Sequence, residues 1–219
     1  MGAIADTSED LILSLSQHKD LILHEDLMVS LSNHEGREPP PLQRARGTAR
    51  IATQLADGRT RLATLYQEGC ARIALPNTHD PSLQAVLINT AGGLTGGDRI
   101  NWHAEAAPAT SLVLTTQACE RVYRSTGADA SVATRLAAGA GASLNWLPQE
   151  TILFEHARLD RSLEVDLAEG ASFCAVAITD VRLSGSTSKR LRAAFFGITR
   201  QCPSPRGMMS MNAKVASSS

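Results

Sequence analysis

Short runs in which apolar and polar residues alternate fill the middle of the chain. Residues 48–56 (TARIATQLA) and 60–67 (TRLATLYQ) flank an Asp57-Gly58 dipeptide. A DG pair between two such runs is a strong signal for a tight turn, so the pattern predicts a β-hairpin. Two more apolar runs predict further strands, over residues 71–76 and 84–90.

The clearest alternation covers residues 99–106 (RINWHAEA), where an apolar residue occupies every second position. Successive side chains of a strand point to opposite faces of its sheet, so this run is predicted to be a half-buried strand. The pattern places Trp102 in the core and His103 on the outer face.

A longer pattern occurs three times, over residues 105–117, 136–150 and 167–179. Each copy resembles a strand, a turn of small residues and a second strand, and the copies align on Ser111, Ser143 and Ser172. Self-similarity at a spacing of about 30 residues is typical of stacked units that share one core. We therefore predict a mostly β fold: a layered, repeat-like antiparallel β-sheet scaffold with a few short helices. The alternative is a chance resemblance between Ala- and Gly-rich turns.

The charge balance narrows the class of partner. The chain has 21 basic and 22 acidic residues and a formal net charge of −1, whereas nucleic-acid-binding domains are usually strongly basic. No apolar run approaches the roughly 18 residues of a membrane-spanning helix, and no basic segment of a secretory signal is found. We expect a cytoplasmic protein that binds neither nucleic acid nor membranes.

Three regions differ in composition. Residues 1–43 contain a duplicated segment and end in prolines, which predicts a variable extension that is disordered or forms a short helix. Its three histidines are expected to be solvated rather than metal-bound: His18, His24 and His34. Residues 44–180 form the predicted scaffold domain. Residues 181–219 lack clean alternation and are predicted to be an atypical tail, disordered or frame-shifted.

The densest local signal is AGGLTGGDR (91–99), with glycines at positions 92, 93, 96 and 97. Glycines at such density indicate positive φ angles or the close approach of another chain segment. A phosphate-binding loop is excluded, because Gly97 is followed by Asp98-Arg99 and a strand rather than by GK[ST] and a helix. A tight turn at a sheet rim, with Asp98 capping backbone N–H groups or pairing with Arg99, is the structural alternative.

Two related polar stretches follow apolar strands: LTTQACERVYRS (114–125) and LPQETILFEH (147–156). The first is consistent with a short helix or turn, in which Glu120 and Arg124 are placed to pair. Neither stretch contains a recognised catalytic motif. The four cysteines form no CxxC pair, so no zinc ribbon is indicated, and free thiols are expected: Cys70, Cys119, Cys174 and Cys202.

These motifs together resemble the UreD (UreH) family of urease accessory proteins. The stretches that carry the resemblance occur in the family's order, over residues 43–47, 57–76, 86–99, 114–125 and 147–167. Each stretch alone is weak, but the joint occurrence of NTAGGLTGGDR, TTQ with ERVYRS, and LPQETILF is specific. The resemblance covers roughly residues 43–173.

The resemblance implies a non-enzymatic scaffold that assists nickel insertion into apo-urease together with the accessory proteins UreF and UreG. No permanently bound cofactor is implied, and nickel is expected only in transit. The residues expected to contact partners or the nickel path lie at the polar exits and the glycine-rich loop: Asp98, Glu120, Glu150, Gln117, Gln149, Arg121, Tyr123 and Arg124, with Gly92, Gly93, Gly96 and Gly97 in the loop.

Two other functions remain open at this stage. One is a small hydrolase with a glycine-lined cleft, in which Asp98 and Glu150 act as acid and base. The other is an unrelated β-repeat binding module. From Cys174 onward the sequence departs from the family pattern. We expect that a shifted reading frame or a truncation explains this departure better than an unusual subfamily does.

Overall fold

Buried and exposed side chains alternate along most strands, as the sequence predicts. The structure is a computed structural model and describes residues 43–181, 191–201 and 206–216. Apart from Gln43, the predicted extension with its histidines therefore lies outside the described residues, as does Cys202. The described residues form the following strands: β1 (Arg46–Ala56), β2 (Arg59–Gly69), β3 (Ala71–Ala74), β4 (Leu83–Asn89), β5 (Arg99–Ala106), β6 (Ser111–Thr116), β7 (Glu120–Val122), β8 (Ala130–Ala138), β9 (Ser143–Leu147), β10 (Thr151–Leu153), β11 (Arg158–Ala168), β12 (Ser172–Val181), β13 (Leu191–Gln201) and β14 (Arg206–Ala216).

The strands form two sheets. The first sheet has the order β14-β11-β8-β5-β1-β2, and the second has the order β3-β4-β6-β9-β12-β10-β7, with β13 paired to β12. Each repeat contributes one long strand to the first sheet and then crosses to the second. The predicted mostly β, layered and repeat-like architecture is confirmed.

The three aligned serines lie side by side in the second sheet. Ser111 of β6 is the register partner of Ser143 of β9, and Ser143 is the register partner of Ser172 of β12. The sequence repeat is therefore a structural repeat with the same alignment. The DG hairpin is also present, with Asp57 and Gly58 both at positive φ (52° and 69°) between β1 and β2.

The predicted antiparallel pairing is wrong between the repeats. The long strands β1, β5, β8 and β11 pair in parallel, and so do β4, β6, β9 and β12. The chain of each unit crosses to the other sheet before the next unit begins, so equivalent strands run in the same direction. Antiparallel pairs join β1 to β2, β3 to β4, β12 to β13 and β11 to β14.

The predicted short helices are not found in the part of the chain that the structure describes, where every regular element is a strand. Residues 120–122, expected in a helix or turn, form β7. Glu120 consequently pairs with Arg161 rather than with Arg124. Residues four apart on a strand are separated by about 13 Å, too far for the pairing that a helix would allow.

The core lies between the sheets and consists mainly of Ala, Leu, Ile and Val. Trp102 is 5% exposed within it, as predicted. His103 faces the opposite way, into a shallow groove of about 790 Å³ on the outer face of the first sheet. Its cross-strand neighbours are Arg50 and Arg135. Partial burial, followed by the two guanidinium groups, lowers the pKa of His103.

Two strands, β13 and β14, lie within residues 181–219, the predicted tail. β14 pairs with β11 along eleven register positions, and β13 pairs with β12. Strands added to a sheet edge are held by backbone hydrogen bonds, which do not require the alternating pattern that the sequence lacks here.

Near this edge, Asp129 accepts a hydrogen bond from Arg158 (2.6 Å) and lies 3.3 Å from Lys214 of β14.

The glycine-rich loop covers the edge of the second sheet. Buried Leu94 forms a parallel bridge with Val122 of β7, with the Leu94 amide donating to Arg121 and the Tyr123 amide donating to Leu94. The loop can approach this closely because its glycines have no side chain. A Cβ added at Gly96 would lie 2.0 Å from the Ser125 hydroxyl and 2.3 Å from the Ala128 carbonyl oxygen.

Gly96→Ala should therefore destabilise the protein by about 1–3 kcal/mol, because the added methyl group overpacks against backbone. Gly127→Ala is the matched control, since an added Cβ there meets no atom within 4 Å. Urea unfolding of both variants measures the difference. Equal unfolding midpoints would contradict the close packing of the loop.

The ion pairs of Asp129 predict a pH-dependent stability. The hydrogen bond from Arg158, with a smaller effect of Lys214, holds the pKa of Asp129 below its ordinary value. The stabilisation is therefore fully present above the ordinary pKa of about 4 and is lost as pH falls through the lower pKa of the folded state. Asp129→Asn should lower the melting temperature at pH 7, and the difference should shrink in acid.

The control for this experiment is Glu169→Gln, which changes an exposed carboxylate in a turn. Its melting temperature should follow that of the wild type at every pH. A constant difference between Asp129→Asn and the wild type from pH 7 to pH 3 would rule out the ion pair as its cause.

Candidate functional site

The three motifs that carry the family resemblance meet at one end of the second sheet. β7 and β10 are short parallel neighbours, with Glu120 opposite Thr151 and Val122 opposite Leu153. The glycine-rich loop attaches to the free edge of β7 through Leu94. We call this region, residues 92–98, 117–124 and 149–154, the rim. The structure therefore brings stretches that are distant in sequence into one surface.

Asp98 holds the base of the rim. Its side chain is 4% exposed, and its two oxygens accept hydrogen bonds from the backbone amides of Ala45 (2.8 Å) and Thr95 (2.7 Å). A buried carboxylate that accepts backbone N–H groups stabilises a turn. This geometry matches the capping role considered for Asp98. Both oxygens are engaged by backbone amides, so neither is directed to the rim surface, where a catalytic base would act.

Glu120 is bound by an arginine from the opposite sheet. Arg161 of β11 donates to the Glu120 carboxylate and also to the Thr151 hydroxyl (2.8 Å). The alternation along β11 buries Leu159 and Leu163, so Arg161, at the position between them, points inward. Its Nε atom is buried and has no hydrogen-bond partner. The site thus contains a partly buried ion pair between the two sheets.

Sequence reasoning missed Arg161, although a signal was present. In LDRSLEVDL the apolar residues occupy alternate positions, and Arg161 takes one of the positions that the pattern assigns to the core. A charged residue at an inward strand position needs a partner, because an unpaired buried charge is very costly. That partner could not be named from the sequence, since Glu120 lies on another strand of the other sheet.

The remaining acidic and amide candidates are placed at the rim by backbone contacts. The Glu120 amide donates to the Glu150 carbonyl (3.0 Å), and the Gln149 amide donates to the Thr116 hydroxyl (2.9 Å). The Gln117 amide donates to the Leu87 carbonyl (2.9 Å). Gln117 and Gln149 are exposed and Glu150 is half-buried. Their side chains make no hydrogen bonds to one another among the described residues.

An aromatic pair is the most exposed apolar feature of the rim. The ring of Tyr123 stacks on the ring of Phe154, with centroids 5.1 Å apart and an interplanar angle of 23°. The Arg121 guanidinium lies beside the Tyr123 hydroxyl and the Cys119 thiol, which raises the pKa of Arg121. Arg124 is exposed, and its carbonyl accepts a hydrogen bond from the Thr95 hydroxyl (2.9 Å). Phe154 was not among the predicted residues.

The ranges that the structure describes contain neither a metal-binding cluster nor a membrane-spanning helix. In those residues no group of three His, Cys, Asp or Glu side chains is close enough to hold a metal ion. No helix of the described ranges is long and apolar enough to cross a membrane. Cys70, Cys119 and Cys174 are free thiols, and burial raises the pKa of Cys70.

Comparison with known proteins agrees with the motif evidence. The sequence model for the UreD urease accessory protein family matches residues 45–198, which include the whole rim. A urease accessory protein UreD from Chelativorans sp. is 62% identical over 142 residues, covering 65% of this chain and 51% of that protein. The corresponding protein of Agrobacterium fabrum is 54% identical over 142 residues, covering 65% of this chain and 50% of that protein.

A third relative, the urease accessory protein UreD of Brucella suis, is 53% identical over 139 residues, covering 64% of this chain and 50% of that protein. The chain thus spans about half the length of the curated relatives it matches. The family model nevertheless matches well over half of the chain itself. The chain belongs to the UreD family of urease accessory proteins.

Proposed function

We propose that this chain acts in urease maturation as a non-catalytic scaffold. The observation that carries the proposal is the family match over residues 45–198, in which the motifs of the rim form one continuous surface. The partners that we propose are apo-urease, UreF and UreG, in the cytoplasm. The cargo is nickel, which contacts the scaffold in transit.

A role in binding suits the described architecture. Stacked repeats give a rigid platform, and a rigid platform can present loops from several repeats to a partner. Asp98, considered above as a hydrolytic acid or base, has both oxygens engaged by backbone amides. This arrangement favours a structural role for Asp98 over the hydrolase alternative.

The acidic residues of the rim are the candidates for contact with nickel. The Glu120 amide donates to the Glu150 carbonyl, so the two residues lie on neighbouring segments of the rim. Carboxylate oxygens are harder donors than thiolate or imidazole, and they hold a borderline metal such as Ni²⁺ less tightly. Weak ligands suit an ion that must leave. Arg161 already binds the Glu120 carboxylate, so its guanidinium competes with a cation for Glu120 and keeps nickel binding there weak.

The test is urease activation in a cell that carries the urease genes but lacks its own UreD. Activation restored by the unaltered chain would support the proposal. Glu120→Gln and Glu150→Gln should each reduce urease activity and the nickel content of purified urease, because a neutral amide is a poorer cation ligand. Activity per urease molecule and bound nickel per active site are the two measurements.

Glu164→Gln is the matched control. Glu164 also pairs with an arginine, Arg135 (2.9 Å), but on the exposed outer face of the first sheet. The Glu164→Gln variant should activate urease as well as the wild type does. Activation that is unchanged in both rim variants would exclude the two carboxylates from the nickel path. Failure of the unaltered chain to restore activation would contradict the scaffold function of this chain.

Asp98 should act on folding rather than on nickel transfer. Asp98→Asn keeps the shape of the side chain but replaces a charged acceptor, and one amide N–H then faces a backbone donor. We expect a loss of about 1–3 kcal/mol in the free energy of unfolding. Denaturant unfolding measures the loss, and soluble protein that remains folded should still support activation. Normal stability with abolished activation would contradict the capping role.

A further inference from the structure

The stacked pair Tyr123–Phe154 is unusual for its exposure. Tyr123 is 41% exposed and Phe154 is 37% exposed, although the two rings cover part of each other. Exposed aromatic side chains grouped in one place are more informative than single exposed apolar residues, because groups of this kind mark surfaces that bind another molecule. Tyrosine is also among the residues that contribute most to protein–protein binding energy.

The pair is held in place before any partner binds. The Tyr123 ring lies against the glycine-rich loop, where a Cβ on Gly93 would fall 2.4 Å from the ring. The Tyr123 amide donates to Leu94 (2.7 Å) and the Phe154 amide donates to Val122 (3.0 Å). A side chain that is already ordered loses little entropy on binding, so more of its contact energy contributes to affinity.

The charge around the pair indicates the chemistry of the partner. Arg121 lies on β7 and Tyr123 directly follows this strand; both are exposed, and alternation places them on the same side of the chain. Arg121 and Arg124 are both exposed, and neither forms an ion pair with a carboxylate among the described residues. A surface of two aromatic rings beside Arg121, which has no carboxylate partner among the described residues, complements an apolar side chain next to a carboxylate.

We propose that Tyr123, Phe154 and Arg121 form the docking surface for the urease apoprotein. The contacted segment of urease presents an apolar side chain to the aromatic pair and a carboxylate to Arg121. This inference rests on the proposed function. The proposal commits to urease as the occupant because the family description names these proteins as accessory to urease.

A second exposed tyrosine provides the matched control. Tyr66 on β2 is 45% exposed, similar to Tyr123, and lies near Arg50, whose guanidinium carbon is 6.0 Å from the ring centroid. The Tyr66 hydroxyl donates a hydrogen bond to the Glu68 carboxylate (2.7 Å), so a carboxylate of the same chain already binds this tyrosine. Tyr66 therefore shares the residue type and exposure of Tyr123, but its hydroxyl is already bound to a carboxylate.

The experiment measures binding of the full chain to purified apo-urease by biolayer interferometry. Tyr123→Ala and Phe154→Ala should each weaken the Kd by about tenfold or more, as expected for the anchor residues of an interface. Arg121→Glu should weaken it at low salt and less at high salt. Tyr66→Ala should bind within about twofold of the wild type. Arg121→Glu alters an exposed side chain, so it tests the surface even if an aromatic variant unfolds.

The same variants are measured against purified UreF and UreG. The proposal is supported if the variants lose binding to apo-urease but still bind UreF and UreG. Loss of binding to UreF or UreG with intact urease binding overturns urease as the occupant. If the Arg121 and aromatic variants bind urease as tightly as the wild-type chain does, the proposed docking surface is wrong. The proposed scaffold function is not affected by that result. Failure of the wild-type chain to bind apo-urease overturns both, and the activation assay then shows separately whether the maturation role stands.

Discussion

The parallel backbone ladder between successive repeats is the interaction on which the rest of the structure depends. Each repeat crosses to the other sheet and returns before the next begins, so equivalent strands pair in the same direction. Buried backbone N–H and C=O groups need partners, and the ladder supplies them for every repeat. Because the register holds at Ser111, Ser143 and Ser172, equivalent loops of each repeat are stacked at the same end.

The rim is a consequence of this stacking. β7 and β10 occupy equivalent positions in successive repeats and become neighbours, and the glycine-rich loop adds Leu94 to the remaining edge. Adjacent strands lie about 4.8 Å apart, close to the 5.1 Å between the rings of Tyr123 and Phe154. The exposed aromatic pair is therefore spaced by the ladder itself. Gly93 is needed because a larger residue there would meet the Tyr123 ring and the Arg121 carbonyl and would separate the loop from the edge that it covers.

The ion pair between Arg161 and Glu120 joins the two sheets near this rim. A charge that points into the space between sheets is unfavourable unless its partner compensates for the lost hydration. Glu120 and Thr151 provide that compensation from the second sheet. A partly buried ion pair adds little net stability, because the desolvation of the two charges offsets much of their attraction.

The sequence by itself determined the features that depend on local geometry or on a repeating period. The hairpin at Asp57-Gly58, the burial of Trp102, the three-fold repeat and the family motifs were all visible in it, because turn conformation and side-chain alternation are set by near neighbours. Only the tertiary structure decided which way the repeats pair, since the same period fits parallel and antiparallel stacking. It also decided that Arg161 meets Glu120 and that Tyr123 meets Phe154. Alternation says which face a residue occupies, but the residue opposite is set by the register between distant strands.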